Sequence, residues 1–131
     1  MDNPAPGFSQ FPNHRITATR TPSHVRVLAG GREIADSRAA FLVHETRHDP
    51  VWYLPPEDVE RHVLAPSETR TYCPFKGYAS YWTIELPDTR LEDAVWAYLE
   101  PYDECRPLTG YFAFYPDRVT IEVDGEPQRP T

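Results

Sequence analysis

Tyr72-Cys73-Pro74-Phe75-Lys76-Gly77-Tyr78-Ala79-Ser80-Tyr81-Trp82-Thr83-Ile84-Glu85-Leu86 joins a turn to a long alternating run. From Tyr78 onward the side chains sort by parity. Tyr78, Ser80, Trp82, Ile84 and Leu86 share one side, and Ala79, Tyr81, Thr83 and Glu85 share the other, which is the period of a β-strand with the first set as its mainly apolar face. The turn ahead of the strand holds the only lysine of the chain, Lys76, close to Cys73, one of two cysteines; the other strong cations are twelve arginines. An amine and a thiol can lose a proton near neutral pH when their surroundings push them, whereas a guanidinium cannot, so candidate chemistry is placed at this turn.

The flanking sequence continues the β pattern. Val25 to Ala29 and Arg32 to Ala35 read as a hairpin around Gly30-Gly31, since a type I′ turn needs two positive φ angles. Ala39 to Val43 and Val51 to Leu54 read as further strands, and Glu57 to His62 as one or two helical turns behind Pro55-Pro56. Thr89-x-x-Glu92 is a capping box ahead of Leu91, Val95 and Tyr98 or Leu99, which predicts a helix closed by Pro101. Gly110 to Tyr115 and Arg118 to Val123 predict a closing hairpin around Pro116-Asp117, with Val119, Ile121 and Val123 inward. The expected fold is mostly β, with six or seven strands and one or two short helices.

The chain has 131 residues, of which 40% are apolar, enough for one domain with a core and too few for two. Four of the 15 prolines precede residue 23 and two follow residue 126, so residues 1–23 and 127–131 are expected to be loosely packed tails around a domain over residues 24–126. Residues 25–126 carry 19 acidic against 10 basic side chains, a net charge of −9. Such a domain repels phosphate backbones, which argues against nucleic acid and anionic membranes as partners and serves solubility. The N-terminus lacks a signal-peptide layout and no apolar run approaches a membrane span, so a cytoplasmic location is expected.

His44-Glu45-Thr46-Arg47-His48 matches the H-E-x-x-H zinc motif. On a helix the two histidines share an ion; on a strand, four residues at about 3.3 Å each separate them by roughly 13 Å. Ala39 to Val43 is β-like and Asp49-Pro50 ends any helix, so no metal site is expected here. Cys73 and Cys105 form no C-x-x-C pair, and no cofactor is expected.

Cys73 is a candidate nucleophile if Lys76 stabilises its thiolate, against the alternative of a small buried side chain. Lys76 is a candidate catalytic amine or an anchor for an anionic group. The aromatic residues cluster in three stretches, and a concave surface of Tyr81, Trp82 and Trp96 with Arg38, Glu45 and Lys76 at its margin suits a small molecule with a flat part and a polar part. Core packing competes with this reading for every single ring. Glu45 and Lys76 are expected on one cavity wall, because a partly buried cation needs an opposite charge.

Ile34-Ala35-Asp36-Ser37, Val43-His44-Glu45, Tyr53-Leu54-Pro55-x-Glu57-Asp58-Val59, Cys73-Pro74-Phe75-Lys76-Gly77-Tyr78-Ala79-x-Tyr81-Trp82, Ala94-x-Trp96-x-Tyr98-x-x-Pro101 and Ala113-Phe114-Tyr115 together resemble a bacterial family, domain of unknown function 427. The resemblance implies a compact, strongly curved, mostly antiparallel sheet of the β-tent kind. It marks Ser37, Glu45, Asp58, Cys73, Lys76, Gly77, Tyr81, Trp96 and Tyr98 as motif positions, and it brings no established biochemical role. A nucleotidyltransferase label attached to the family finds little here, since Asp36 stands alone after Gly30-Gly31 and Asp124-x-Glu126 falls at the edge of the C-terminal hairpin. The leading expectation is a binding protein with a polar-aromatic pocket. The alternatives are a small enzyme using Cys73 or Lys76, and a protein-interaction module with an aromatic surface.

Overall fold

Extended backbone dominates the computed structural model, which describes residues 2–128. Among these residues a short helix α1 (Gly7–Gln10) precedes eleven strands: β1 (Ile16–Arg20), β2 (Val25–Ala29), β3 (Arg32–Ser37), β4 (Phe41–Glu45), β5 (Val51–Leu54), β6 (Leu64–Cys73), β7 (Gly77–Glu85), β8 (Arg90–Ala97), β9 (Phe112–Phe114), β10 (Thr120–Val123) and β11 (Glu126–Pro127). Seven form one antiparallel sheet in the order β1-β4-β5-β9-β8-β7-β6, and four form a second in the order β11-β10-β2-β3. Both sheets are open at their edges. No helix among the described residues is long and apolar enough to cross a membrane.

The small sheet turns Val25, Val27, Ile34 and Ile121 onto the large one, which answers with Leu54, Ile84, Val95, Phe112 and Phe114. The opposite face of the large sheet carries Phe41, Val43, Tyr53, Ala79, Tyr81, Tyr98 and Ala113, closed in part by Cys105 and Leu108. Those two residues come from a 3₁₀ segment, Asp103–Leu108. Neighbours on one strand therefore serve different clusters: Phe112 and Phe114 point to one, Ala113 to the other.

The parity of β7 is as read, with Trp82 and Ile84 on one face and Ala79 and Tyr81 on the other, but both faces are covered. Tyr78, expected inward, is 57% exposed, while Ala79 and Tyr81 are buried. A strand covered on both faces carries no polar-apolar contrast to fix its orientation.

The predicted helix over Thr89 to Leu99 is instead β8, a central strand between β7 and β9. Leu91 faces Ile84 and Val95 faces Trp82, so four residues of β8 are spanned by two of β7. Asp93 at φ +51° lies inside the extra loop. This bulge stretches the strand period of two to an i, i+4 spacing that imitates a helix. Burial in the sheet then overrides local capping chemistry.

The expected closing hairpin is also not formed. β9 pairs with β5 and β8, whereas β10 pairs with β2 and β11. The turn after Tyr115, held by hydrogen bonds that the Arg118 and Val119 amides donate to the Tyr115 carbonyl, carries the chain from one sheet to the other.

The first 23 residues were expected to be a loose tail; instead, β1 pairs with β4 from Ile16 opposite Glu45 to Arg20 opposite Phe41. At the other end, β11 reaches Pro127 and the Gln128 amide donates to Ile121. Residues 129–131 of the expected tail lie outside the described residues. The Gly30-Gly31 hairpin is formed as expected. The turns near Glu57 are 3₁₀ segments, Pro56–Asp58 and Arg61–Val63.

Candidate functional site

Pro74, Phe75 and Lys76 form the loop between β6 and β7, closed by the Cys73–Gly77 pair. Gly77, at φ +112°, turns the chain back into β7. The Lys76 amide donates to the Cys73 carbonyl at 3.2 Å, and the Lys76 carbonyl accepts from the Tyr102 amide at 3.0 Å. With its backbone pinned at both ends, the side chain enters the aromatic face of the large sheet and the ammonium donates to Glu45 Oε1. Only about a tenth of either side chain is exposed.

Glu45 ends β4, and its second oxygen accepts from His14 Nε2 at 2.8 Å. The His14 ring stacks on Phe75 with centroids 3.8 Å apart. Burial opposes the Glu45 charge. The Lys76 hydrogen bond and charge outweigh it, helped by the His14 hydrogen bond and the His48 charge, and the carboxyl is held below its ordinary range.

Beside this pair runs a row of cross-strand neighbours. Phe41 faces Tyr53, Tyr53 faces Ala113, Ala113 faces Trp96 and Trp96 faces Tyr81. Residues drawn from positions 41 to 113 of the sequence thus stand in line across five strands. Trp96 Nε1 donates to the Tyr53 hydroxyl at 3.2 Å, with the rings edge-on at 86°. Tyr115 tilts against Trp96 at 4.5 Å between centroids. The Tyr81 hydroxyl pairs with Thr71 Oγ1 at 2.9 Å and lies 3.4 Å from the Tyr115 hydroxyl. Burial raises the phenols of Tyr53, Tyr98 and Tyr115, which keeps them protonated and able to donate.

Together these residues wall a cavity of about 740 Å³ that includes Glu45, Lys76, Tyr53, Tyr81, Trp96 and Tyr98, with Arg47 and His48 at an exposed rim. Four of the six binding residues expected from sequence, Glu45, Lys76, Tyr81 and Trp96, are brought together here. Two are not. Trp82 points to the opposite face, packing edge-on against Phe112 at 5.0 Å, because it is one residue from Tyr81 on a strand buried on both sides. Arg38 is exposed just past the end of β3 and is not part of the cavity wall.

Cys73 is half-buried against the aromatic cluster and is likewise absent from the cavity wall. Cys105 is buried, and desolvation pushes its thiol up to about 11 even though Lys76 pulls it down. In the H-E-x-x-H stretch, His44 lies exposed on β4 while Glu45 turns in to Lys76, and Thr46 to His48 leave the strand as a turn. The one-helix arrangement that the zinc motif requires is not present.

Ser37 and Asp58 form a separate contact. Ser37 Oγ donates to Asp58 Oδ2 at 2.7 Å and accepts from the Ala39 amide at 3.1 Å, which pins a 3₁₀ turn to the end of β3 away from the cavity.

Sequence reasoning missed His14 as a functional neighbour. It sits in a segment, residues 3–14, that straps across the Lys76 turn. Asn3 exchanges two hydrogen bonds with Asp103, the Ala5 amide donates to Glu104, and the Gly7 amide donates to the Pro74 carbonyl at 2.9 Å. Phe8 meets Phe75 edge-on at 5.0 Å. A Cβ on Gly7 would lie 2.7 Å from the Phe75 ring and 2.9 Å from the Pro74 oxygen, so the backbones approach as closely as glycine alone allows.

The chain matches the family model described as Domain of unknown function (DUF427) over residues 17–125. It belongs to that family. No curated protein matches the chain. The matched stretch contains Glu45, Lys76, Tyr81, Trp96 and Tyr98, and it leaves the strap and His14 outside.

Proposed function

We propose that this chain is a single-domain, cytoplasmic protein that binds a small molecule in the cavity between the Glu45–Lys76 pair and Tyr53, Tyr81, Trp96 and Tyr98. The observation that carries the reading is a charge pair at the wall of a ring-lined cavity whose volume, about 740 Å³, lies in the range of ligand sites. A few fixed polar groups among aromatic rings are what orient a ligand in such sites. The strongly curved, β-tent-like shape implied by the family resemblance belongs to the same proposal.

The competing readings have less behind them. An enzyme here would use Lys76 rather than Cys73, because Cys73 is away from the cavity wall. A nucleophilic amine must shed its proton, and the Glu45 contact favours the ammonium. Nucleotidyl transfer through a bound divalent ion needs converging carboxylates; among the described residues no group of three His, Cys, Asp or Glu side chains is placed to hold a metal ion. A protein-interaction module would use the exposed Tyr72 and Tyr78 at the other side of the β6–β7 hairpin.

A thermal-shift screen of the full chain against a metabolite library tests the proposal. A compound present at 100 times its Kd stabilises by about 2.7 kcal/mol, a rise of several degrees in Tm. We expect at least one such compound, with the shift lost in Trp96→Ala. A library that leaves Tm unmoved, or a shift untouched by Trp96→Ala, contradicts it.

A further inference from the structure

Hydrogen-bond donors and acceptors are unequally spent at the cavity. The Lys76 ammonium has three N–H donors, and among the described residues its acceptor is Glu45 Oε1. Side-chain burial of nine-tenths keeps most water from serving the other two. The Tyr98 hydroxyl has no protein partner among the described residues, although Tyr98 is 7% exposed. The Tyr53 hydroxyl accepts from Trp96, so its own hydrogen is unspent. The buried carboxylate, by contrast, is consumed: Glu45 gives one oxygen to Lys76 and the other to His14, while the Asp49 carboxylate stands exposed at the rim.

Charge narrows the occupant further. A cationic ligand finds Lys76 and no free carboxylate at the base of the cavity. At the base an anionic ligand adds a second negative charge beside Glu45, and the exposed Arg47 at the rim is offset there by Asp49. A neutral acceptor meets neither penalty. It takes up the unspent hydrogens and leaves the ion pair balanced. The aromatic row supplies flat walls, Trp96 between Tyr53 and Tyr115, against which a planar ring stacks.

We propose that the occupant is an uncharged planar carbonyl compound, its oxygen received by Lys76, Tyr53 and Tyr98 and its ring laid against Trp96. This rests on the pocket reading above and specifies its ligand class. Donor-rich buried sites reject ligands that cannot satisfy them, which gives the selectivity a physical basis.

The test compares three probes of one ring system and different head groups: 2-acetylnaphthalene, 2-naphthoate and 2-naphthylmethylamine. Each is titrated into the labelled full chain, with Kd read from the Trp96 indole and the amides of β7 and β8. We expect the ketone to bind at least about tenfold tighter than either charged probe, and Tyr98→Phe to weaken the ketone about three- to tenfold with the spectrum otherwise retained. Lys76→Met combined with Glu45→Gln, which removes the pair without stranding a charge, should abolish the preference for the ketone. Tighter naphthoate or amine, equal affinity for all three, or a Tyr98→Phe variant unchanged toward the ketone overturns the inference and leaves the pocket reading standing. If none of the three moves a cavity signal while the library screen yields a Trp96-dependent ligand, the carbonyl class is again rejected and the pocket is kept. If neither experiment yields a ligand, both fail together.

Discussion

The two faces of the seven-stranded sheet are built from the same strands and do opposite things. Toward the small sheet lie Leu54, Ile84, Val95 and Phe112, a dry cluster dominated by aliphatic groups that meets the cavity wall through Phe114 and Ile121. Toward the strap lie Tyr53, Tyr81, Trp96, Tyr98 and Tyr115, with Lys76 and Glu45 among them. Adjacent residues are assigned to opposite roles, as Tyr53 and Leu54 show, or Tyr81 and Trp82. One layer of β-structure thus separates cohesion from recognition, and a change of one position along a strand moves a side chain from one task to the other.

The difference predicts separable phenotypes, and the largest belongs to the dry face. Leu54→Ala should cost about 2–5 kcal/mol by denaturant unfolding, because it empties a fully buried site. Ligand-induced stabilisation should survive wherever the variant still folds; selective loss of binding with stability intact would erase the division of labour.

On the recognition face, Glu45→Gln should cost about 3 kcal/mol, since it strands a buried ammonium. The double change Glu45→Leu with Lys76→Met should recover most of that loss. A single variant as stable as the parent would mean that the pair contributes nothing the solvent cannot replace.

Acid sharpens the same point. The Glu45 carboxyl is depressed in the folded chain, so its contribution to stability is fully present above the ordinary carboxylate value of about 4.3 and is lost as pH falls through its lower folded value. Unfolding free energy measured from about pH 5 downward should therefore fall more steeply in the parent than in Glu45→Gln. Parallel pH profiles would contradict the assignment.

The smallest effect is expected at the strap. Gly7→Ala should destabilise by about 1 kcal/mol or less and expose residues 3–14 to limited proteolysis, because the added methyl collides with Phe75 and Pro74. Protection equal to that of the parent would show that the strap accommodates the methyl without lifting.

Much of the fold is legible where only one face of a strand is buried or a turn has distinctive chemistry. The Gly30-Gly31 hairpin belongs to that class, whereas the strand at Val51, buried on both faces, was legible as a short apolar run stopped by Pro55-Pro56. β8 was hidden by its bulge, which disguised a strand as a helix through the spacing of Leu91 and Val95. The separation of β9 from β10 was hidden because sequence proximity favours pairing, while the choice of sheet depends on partners more than 50 residues away, Tyr53 for Ala113 and Val27 for Ile121. At the site, Glu45 and Lys76 followed from charge compensation and the family motif. Trp82 was misassigned because its clustering with other aromatic residues was weighed above its parity, which already set it on the face opposite Tyr81. His14 carried no signal at all: its role arises only when the strap docks on Phe75.

The claim that one face of the sheet is a binding face and the other a sealed core can be tested on two tryptophans, one on each side. Proton–nitrogen correlation spectra resolve the indole signals of Trp96, on the cavity wall, and Trp82, packed on Phe112. Titration with a compound that raises Tm should move the Trp96 signal saturably and leave Trp82 in place. A Trp82 signal that moves while Trp96 stays still would contradict the account.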